Sequence, residues 1–202
     1  GAATFVPGSR TLLSQHFILH PAGLVAENAH LRMVGVSDAL DRLAIEERAL
    51  VITPYHQAMN RLREYARGTE RHGTCGIGVG ETVEDSMTRL DELTVRARDL
   101  TNVRMLRLKL KKIQEYKQFQ VQTLIKSLDE EEVASTLGLL HASSAHLAEH
   151  LVEIGQTLHI VSPEQAYCAI QESEHAIFEG AQGVLLDAGH GFHPHTTRST
   201  PT

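Results

Sequence analysis

The chain has 202 residues, of which 42% are hydrophobic and 22% are charged, and it carries a formal net charge of −6. This composition is typical of a globular protein with one medium-sized core, alone or with a helical subdomain. The negative charge argues against broad nucleic-acid binding, and no apolar stretch approaches the length of a membrane span. With two cysteines and no leader-like N-terminal pattern, the sequence predicts a cytoplasmic protein.

The N-terminal part of the chain favours β structure, followed by helices. The predicted strands are rich in β-branched, aromatic and aliphatic residues, and they are Thr4–Val6, Thr11–Leu13, Phe17–Leu19 and Ala49–Ile52. Between the last two, residues 22–43 predict short helices. Their inward residues are expected to be Leu24, Leu31, Val34, Leu40 and Leu43. Another helix is expected from Tyr55 to Arg67, where Gly68 ends it.

The middle of the chain predicts almost continuous helix, from Thr82 to about Ser173. Apolar residues recur every three or four positions in two runs, and this spacing indicates two long antiparallel helices. The apolar run His175–Phe178 then predicts a return to a strand. The order of elements predicts an α/β fold with a large helical insertion. We expect three parts: residues 1–54 in a central sheet domain, a helical subdomain over 55–173, and a strand and loop over 174–202 that return to the sheet.

The first candidate site is the loop Gly73–Gly80. It contains four closely spaced glycines, and each of them can expose its backbone N–H group. The helix expected to begin at Thr82 adds positive electrostatic potential, so the loop can hold an anion. A mobile linker between helices would show the same alternation of glycines. A dinucleotide-binding fingerprint requires a strand directly before the loop, and none is predicted here. The residues alone therefore leave both interpretations open.

The second candidate site is the run Phe178–Gly191, where small residues surround one glutamine. Gly180 and Gly183 would let a ligand approach the backbone closely. The primary amide of Gln182 can accept one hydrogen bond and donate another, which suits the oxo-bearing edge of a purine. The sequence therefore predicts a purine-binding loop here.

Together the two loops resemble the adenylosuccinate synthetase family, which joins aspartate to inosine monophosphate (IMP) with GTP hydrolysis. The family's first loop reads Gly-Thr-Thr-Gly-Arg-Gly-Ile-Gly, then Tyr-Glu-Asp and an arginine. The residues in step with it are Gly73, Thr74, Gly76, Gly78, Gly80, Glu84, Asp85 and Arg89. The second loop reads Phe-Glu-Gly-Ala-Gln-Gly, apolar residues, Asp, His-Gly, a proline and a Thr-Ser pair. Its matches are Phe178–Gly183, Leu185–Asp187, His190–Gly191, Pro194, Thr197 and Ser199.

The resemblance implies a P-loop-like central sheet and a role for each matched side chain. Thr74 and Cys75 would lie near the IMP phosphate, and Thr197 would contact a phosphate oxygen. Gln182 would bind the 6-oxo edge of IMP and act as the catalytic residue. Arg89 would reach into the IMP site of a neighbouring subunit, which requires a homodimer.

The resemblance also implies GTP as a co-substrate and Mg²⁺ as a cofactor, with the carbonyl of Gly1 touching the metal. Ala2 stands where the family has a histidine that acts as general acid, and alanine cannot donate a proton. Cys75 replaces the family's second threonine. Ile77 replaces an arginine that helps to hold aspartate, so a strong charge-assisted contact is lost. The family's GTP phosphate loop has no counterpart in the sequence.

Three hypotheses stay open at this point. The first is a GTP-dependent ligase of IMP and L-aspartate in purine biosynthesis. The second is a divergent paralogue that uses another amino acid or oxo-substrate, and the third is a nucleotide-binding or dimerisation module without catalysis. None of them involves nucleic acid or a membrane as a partner.

Three other patterns are better explained without a site. His146–His150 matches the zinc-protease pattern His-x-x-Glu-His, but no convincing third ligand follows, so a solvated helix face is expected. The basic run Arg104–Lys117 is likewise expected to be a solvated helix face. His190, His193 and His195 have a spacing that suits no single regular element, which argues against a metal cluster.

Overall fold

The computed structural model describes residues 2–71, 73–88, 90–124 and 130–197. It divides into two compact units, Gly1–Pro163 and Glu164–Thr202, and each is described by itself. Helices and short parallel strands make up the described regular structure, which confirms the predicted α/β class. Among the helices of these ranges, none combines the length and the apolar character needed to cross a membrane.

The first unit contains two small parallel sheets. Their strands are β1 (Thr11–Leu13), β2 (Ile18–Leu19), β3 (Leu43–Glu46), β4 (Leu50–Val51) and β5 (His159–Val161). One sheet has the order β1-β3-β5, and the other pairs β2 with β4. Because parallel neighbours need a crossover connection, each pair is separated in sequence by at least one helix.

Helices form most of the described chain. They are α1 (Pro21–Met33), α2 (Pro54–Ala66), α3 (Val79–Met87), α4 (Val103–Leu124), α5 (Glu130–Leu140), α6 (Ser144–Gly155) and α7 (Pro163–Gln171). Single 3₁₀ turns occupy Ala2–Phe5, Gly68–Glu70, Asp91–Leu93, Ala97–Thr101 and Val184–Leu186. Proline begins three of the α-helices, where its missing N–H group is not needed.

The apolar core of the first unit lies where the short strands meet α2, α4 and α5. Its largest fully buried apolar side chains are Leu19, Ile45, Tyr55, Met59, Leu62, Leu100, Leu106, Leu110, Ile113 and Leu140. Tyr55 keeps its hydroxyl satisfied, since it donates to the carbonyl of Ala142 at 2.8 Å. Burial of this size, at about 1.5–3 kcal/mol for each large side chain, holds α2 firmly in place.

Several predictions for the N-terminal part are confirmed. Strands form at β1, β2 and β4, and α2 lies within one residue of its predicted bounds. The predicted strand Thr4–Val6 is wrong, because Ala2–Phe5 is a 3₁₀ turn. Val34 is 50% exposed rather than inward, and Leu43 is buried in β3 instead of a helix.

The helical block also differs from the prediction. The apolar run from Leu137 to Leu158 is divided between α5 and α6, because residues 141–143 break the helix. The hydroxyl of Ser143 accepts the amide hydrogen of His146 at 3.4 Å and so caps the new helix. Next, β5 forms at His159–Val161 and joins the sheet. Such short strands carry too few residues for a period-2 pattern to reveal them.

The second unit contains α7 and a long loop. The predicted strand at His175–Phe178 is wrong, since no strand pairing includes these residues and Ile177 and Phe178 are 93% and 81% exposed. The expected division into residues 1–54, 55–173 and 174–202 stays a prediction.

Candidate functional site

The glycine loop Gly73–Gly80 leads into α3 and is packed against the start of α2. Gly78 is the N-cap of α3 and has a φ of 95°. A Cβ atom at this position would lie 2.8 Å from the backbone nitrogen of Gln57 and 2.8 Å from the carbonyl carbon of His56. Glycine is therefore required here twice, for its positive φ and for the close approach of two backbones.

The rest of the loop is held by side chains from α2. The amide of Thr74 donates to Oε2 of Glu64 at 3.3 Å, and its hydroxyl donates to Oδ1 of Asn60 at 3.4 Å. The Nε–H group of Arg61 donates to the carbonyl of Gly76 at 3.2 Å. These contacts place the loop against α2.

The Glu64 carboxylate already acts as an anion at the loop. Its partial burial alone would raise its pKa, but the hydrogen bonds from Thr74 and Arg67 outweigh that effect, and the pKa lies below its ordinary value. The amide of Thr74 is thus oriented towards negative charge. In such a loop, further backbone N–H groups can donate hydrogen bonds to a phosphate or carboxylate oxygen.

The side chains at the tip of the loop are open to solvent. Thr74, Cys75 and Ile77 are all exposed, and Cys75 is a free thiol. Arg89 and Gly1, which the resemblance gives to the partner's IMP site and to Mg²⁺, lie outside the described residues.

Beneath the loop, α2 and α3 are joined by a buried histidine. The amide of Thr53 donates to Nδ1 of His56 at 3.0 Å, so Nε2 carries the proton and donates to Oδ2 of Asp85 at 3.1 Å. Burial lowers the pKa of His56 despite the opposing effect of Asp85, and the imidazole is therefore neutral. Burial alone would raise the pKa of Asp85, but the hydrogen bond from His56 and the charge of Lys117 outweigh it and lower the pKa.

Lys117 of α4 completes this buried network. Its Nζ donates to Oδ1 of Asp85 at 2.7 Å and to Oε2 of Glu81 at 3.2 Å, and its side chain is 0% exposed. Arg63 of α2 pairs with Glu81 at 3.3 Å and with Glu84 at 3.1 Å. The network joins α2, α3 and α4 through charges that are each paired, as buried charges must be.

This network was not predicted from the sequence. The prediction of a solvated basic run is wrong for Lys117 and also for Lys109, which is 3% exposed. Lys109 donates to the carbonyl of Thr94 and to Asp99, each at 3.0 Å. A signal was present, because Lys117 lies four residues after Ile113 and four before Val121, inside the apolar stripe of α4.

The second candidate loop is organised around the carboxylate of Asp187. This buried side chain accepts hydrogen bonds from the amides of Gly189 at 2.7 Å and His190 at 2.8 Å, and Nδ1 of His190 lies 3.3 Å away. A Cβ atom at Gly191 would lie 2.6 Å from the carbonyl oxygens of both Asp187 and Leu185. Thus Asp187 and Gly191, both part of the predicted motif, fix the shape of the loop.

The two ligand-binding residues predicted on this loop differ in their exposure. Gln182 is exposed. Thr197 is half-buried, and its amide and hydroxyl both donate to the carbonyl of Leu186, at 2.9 Å and 3.1 Å. Thr74 and Cys75 belong to the first unit, whereas Gln182 and Thr197 belong to the second. The roles of all four residues stay predictions.

The two other histidine patterns form no metal centre among the residues that the structure covers. In those ranges, no group of three or more His, Cys, Asp or Glu side chains is arranged to hold a metal ion. His146, Glu149 and His150 are exposed on α6, and Glu149 pairs with Arg107 at 2.8 Å. This exposure confirms that they form a solvated helix face.

Comparison with known proteins gives a consistent result. The family model described as "Adenylosuccinate synthetase" matches residues 1–202. Adenylosuccinate synthetase of Edwardsiella ictaluri is 33% identical over 192 residues, which are 95% of this chain and 41% of that protein. The Synechocystis protein of the same name is 33% identical over 197 residues, covering 96% of this chain and 41% of that protein.

A solved structure supports the fold. Fully ligated adenylosuccinate synthetase from Plasmodium falciparum superposes with a TM-score of 0.60 at 18% identity, over 98% of this chain and 43% of that one. The chain thus spans about two fifths of the length of the relatives that it matches. At 18% identity, the likeness to the solved structure concerns the fold alone.

Proposed function

Because the chain belongs to the adenylosuccinate synthetase family, we propose that it serves in a GTP-dependent ligase. The reaction would form a C–N bond between IMP and L-aspartate on the purine route to AMP, in the cytoplasm. The observation that carries the proposal is the glycine loop, which is hydrogen-bonded to α2 while Thr74 and Cys75 stay exposed. This is a suitable receptor for the phosphate of a nucleotide.

In this proposal the two loops have different tasks. Thr74 and Cys75 of the first loop bind the IMP phosphate, and Thr197 of the second adds a contact to a phosphate oxygen. Gln182 recognises the 6-oxo edge of the purine, because its amide can donate to the oxygen and accept from a ring N–H group. During catalysis the same amide would orient that oxygen to receive the terminal phosphoryl group of GTP, with GDP as the leaving group.

Other parts of the reaction are proposed from the family alone. GTP would activate the purine oxygen, Mg²⁺ would assist, and a homodimer would bring Arg89 to the partner's site. The described residues do not assemble a set of Mg²⁺ ligands, and Gly1 lies outside them. We therefore derive no step of the mechanism through the metal.

A second candidate is a ligase with a different amine donor or oxo-substrate. The observation in its favour is Ile77, an exposed apolar residue in the loop where the resemblance expects an arginine for aspartate. A screen of amino acids with GTP and IMP, read as phosphate release, distinguishes the two. Preference for aspartate supports the first proposal, preference for another amino acid supports the second, and no release with any of them favours a module without catalysis.

Nucleotide binding is tested directly by calorimetry with IMP on the purified protein. We expect Gln182→Ala to weaken IMP binding about tenfold, since the loss of a pair of uncharged hydrogen bonds to the purine costs roughly 1.4 kcal/mol. The matched control is Gln122→Ala, which alters an exposed glutamine of α4 and leaves binding unchanged. Equal affinities of wild type and Gln182→Ala, or no binding by the wild type, would contradict the proposal.

A further inference from the structure

Arg61 lies across the glycine loop and differs from Arg63, the other arginine of α2, and from Arg67, the C-cap residue of that helix. Arg63 pairs with Glu81 and Glu84, and Arg67 pairs with Glu64. Arg61 forms no ion pair with any acidic residue in the described ranges, and it is exposed. Among the described residues, Arg61 is thus the arginine of these three whose charge has no acidic partner.

The position of Arg61 is fixed by the loop itself. Its Nε–H group donates to the carbonyl of Gly76 at 3.2 Å. Gly76 has a φ of 68°, and a Cβ atom there would lie 3.1 Å from Cγ and 3.3 Å from Nε of Arg61. The aliphatic part of the arginine therefore passes directly over Gly76, whose neighbours in the chain are the exposed Cys75 and Ile77.

This anchoring leaves the binding end of the guanidinium available. A guanidinium has five N–H groups, and the contact with Gly76 uses the one on Nε. The other four form a planar fork that matches the two oxygens of a carboxylate or phosphate. Because the anchor already restricts the side chain, less conformational entropy is lost when an oxyanion binds.

We propose that Arg61 of α2 binds an oxyanion of the substrate at the glycine loop. The inference rests on the proposed function, which it deepens by giving the loop a cationic contact from α2. The oxyanion comes either from the nucleotide phosphate or from a carboxylate of the amino acid. In the second case Arg61 supplies, from a different element, the charge that Ile77 does not.

The test compares wild type with Arg61→Gln, Arg61→Lys and the matched control Arg104→Gln. Arg104 is an exposed arginine in the first turn of α4. Calorimetry measures binding of inorganic phosphate, IMP, inosine, and L-aspartate in the presence of IMP. NMR shifts of the Gly73–Gly80 amides report whether each ligand reaches the loop, and circular dichroism confirms that every variant is folded.

We expect Arg61→Gln to weaken binding of the oxyanion ligand about tenfold. The affinity of Arg61→Lys should lie between those of Arg61→Gln and wild type, and Arg104→Gln should leave the affinity unchanged. A loss for IMP and phosphate but not for inosine identifies the phosphate as the source. A loss confined to L-aspartate identifies the carboxylate. Either result supports the inference.

The failures of the two proposals can be distinguished. If wild type binds IMP but Arg61→Gln binds phosphate, IMP and aspartate equally well, the Arg61 inference is wrong and the proposed function stands. If wild type binds phosphate at the loop with a dependence on Arg61, but does not bind IMP, the proposed function fails and the role of Arg61 stands. Wild type that binds none of these ligands overturns both.

Discussion

The two candidate loops obtain their shapes in different ways. The glycine loop Gly73–Gly80 is held by distant residues, since α2 supplies its hydrogen-bond partners and a buried network lies beneath it. The loop around Asp187 is held locally, by hydrogen bonds between residues at most eleven positions apart. The first loop should therefore share the stability of the whole first unit, whereas the second should open by itself. Four changes test this difference.

The largest effect is expected from Lys117→Met. Removing the ammonium group leaves the carboxylates of Asp85 and Glu81 buried without a cation, and breaking a buried pair in this way costs about 3–5 kcal/mol. Urea unfolding measures the free energy of unfolding. Lys111→Met is the control, because Lys111 is 68% exposed and its pair with Glu115 contributes little.

A neutral partner variant sharpens the Lys117 test. If the unpaired charges cause the loss, combining Lys117→Met with Asp85→Asn and Glu81→Gln should recover part of it. A triple variant as unstable as the sum of its single changes would show that packing, not charge, is what Lys117 contributes.

The next effect is expected from Gly78→Ala. The new Cβ atom would lie 2.8 Å from backbone atoms of α2, and the alanine would have to adopt a φ of 95°. Together these are expected to cost about 3 kcal/mol of unfolding free energy. Gly80→Ala is the control, since nothing lies within 4 Å of its Cβ position. Equal stability of the two variants would mean that the loop does not depend on α2.

A smaller and more local effect is expected from Gly191→Ala. Its Cβ atom would lie 2.6 Å from two carbonyl oxygens, so the loop must shift, at a cost of about 2 kcal/mol. Amide hydrogen exchange should increase over residues 185–197 and stay unchanged in α2 and α4. The control Gly183→Ala has open space around its Cβ position. Faster exchange throughout the chain would contradict the independence of this loop.

Sequence patterns predicted the parts of the molecule that depend on neighbouring residues. The helix predicted from Tyr55 to Arg67 lies within one residue of α2, and Asp187 was among the matched motif residues, although its part in shaping the loop was not predicted. The glycines of the first loop were visible, but their partners on α2 were not, because such contacts require the folded structure.

The remaining errors have a common physical cause. Short strands such as β3 and β5 are stabilised by pairing with distant segments, and three or four residues give no periodic signal. The basic run on α4 was interpreted as solvated because lysine is rarely buried, and only the positions of Asp85 and Asp99 make burial of Lys117 and Lys109 possible.

The smallest effect concerns the pH dependence of the first unit. His56 is neutral in the folded protein because burial lowers its pKa below the ordinary value of 6.5, whereas in the unfolded chain it titrates normally. Below that pH the unfolded state binds more protons than the folded state, so stability falls as the solution becomes more acidic. The slope approaches about 1.4 kcal/mol per pH unit below pH 6.5. Urea unfolding from pH 7.5 to 5 measures it.

His56→Gln should flatten this slope, although it also lowers the stability at pH 7.5, since Asp85 loses a partner. His146→Gln, at an exposed position on α6, should leave the slope unchanged. The carboxyl of Asp85 acts in a lower range: its pKa is depressed, so the stability that it contributes is present above its ordinary value of 3.8 and is lost as the pH falls further. Stability that stays constant between pH 7.5 and 5 in the wild type would mean that His56 is not buried as a neutral donor. The connection between α2 and α3 beneath the glycine loop would then need another explanation.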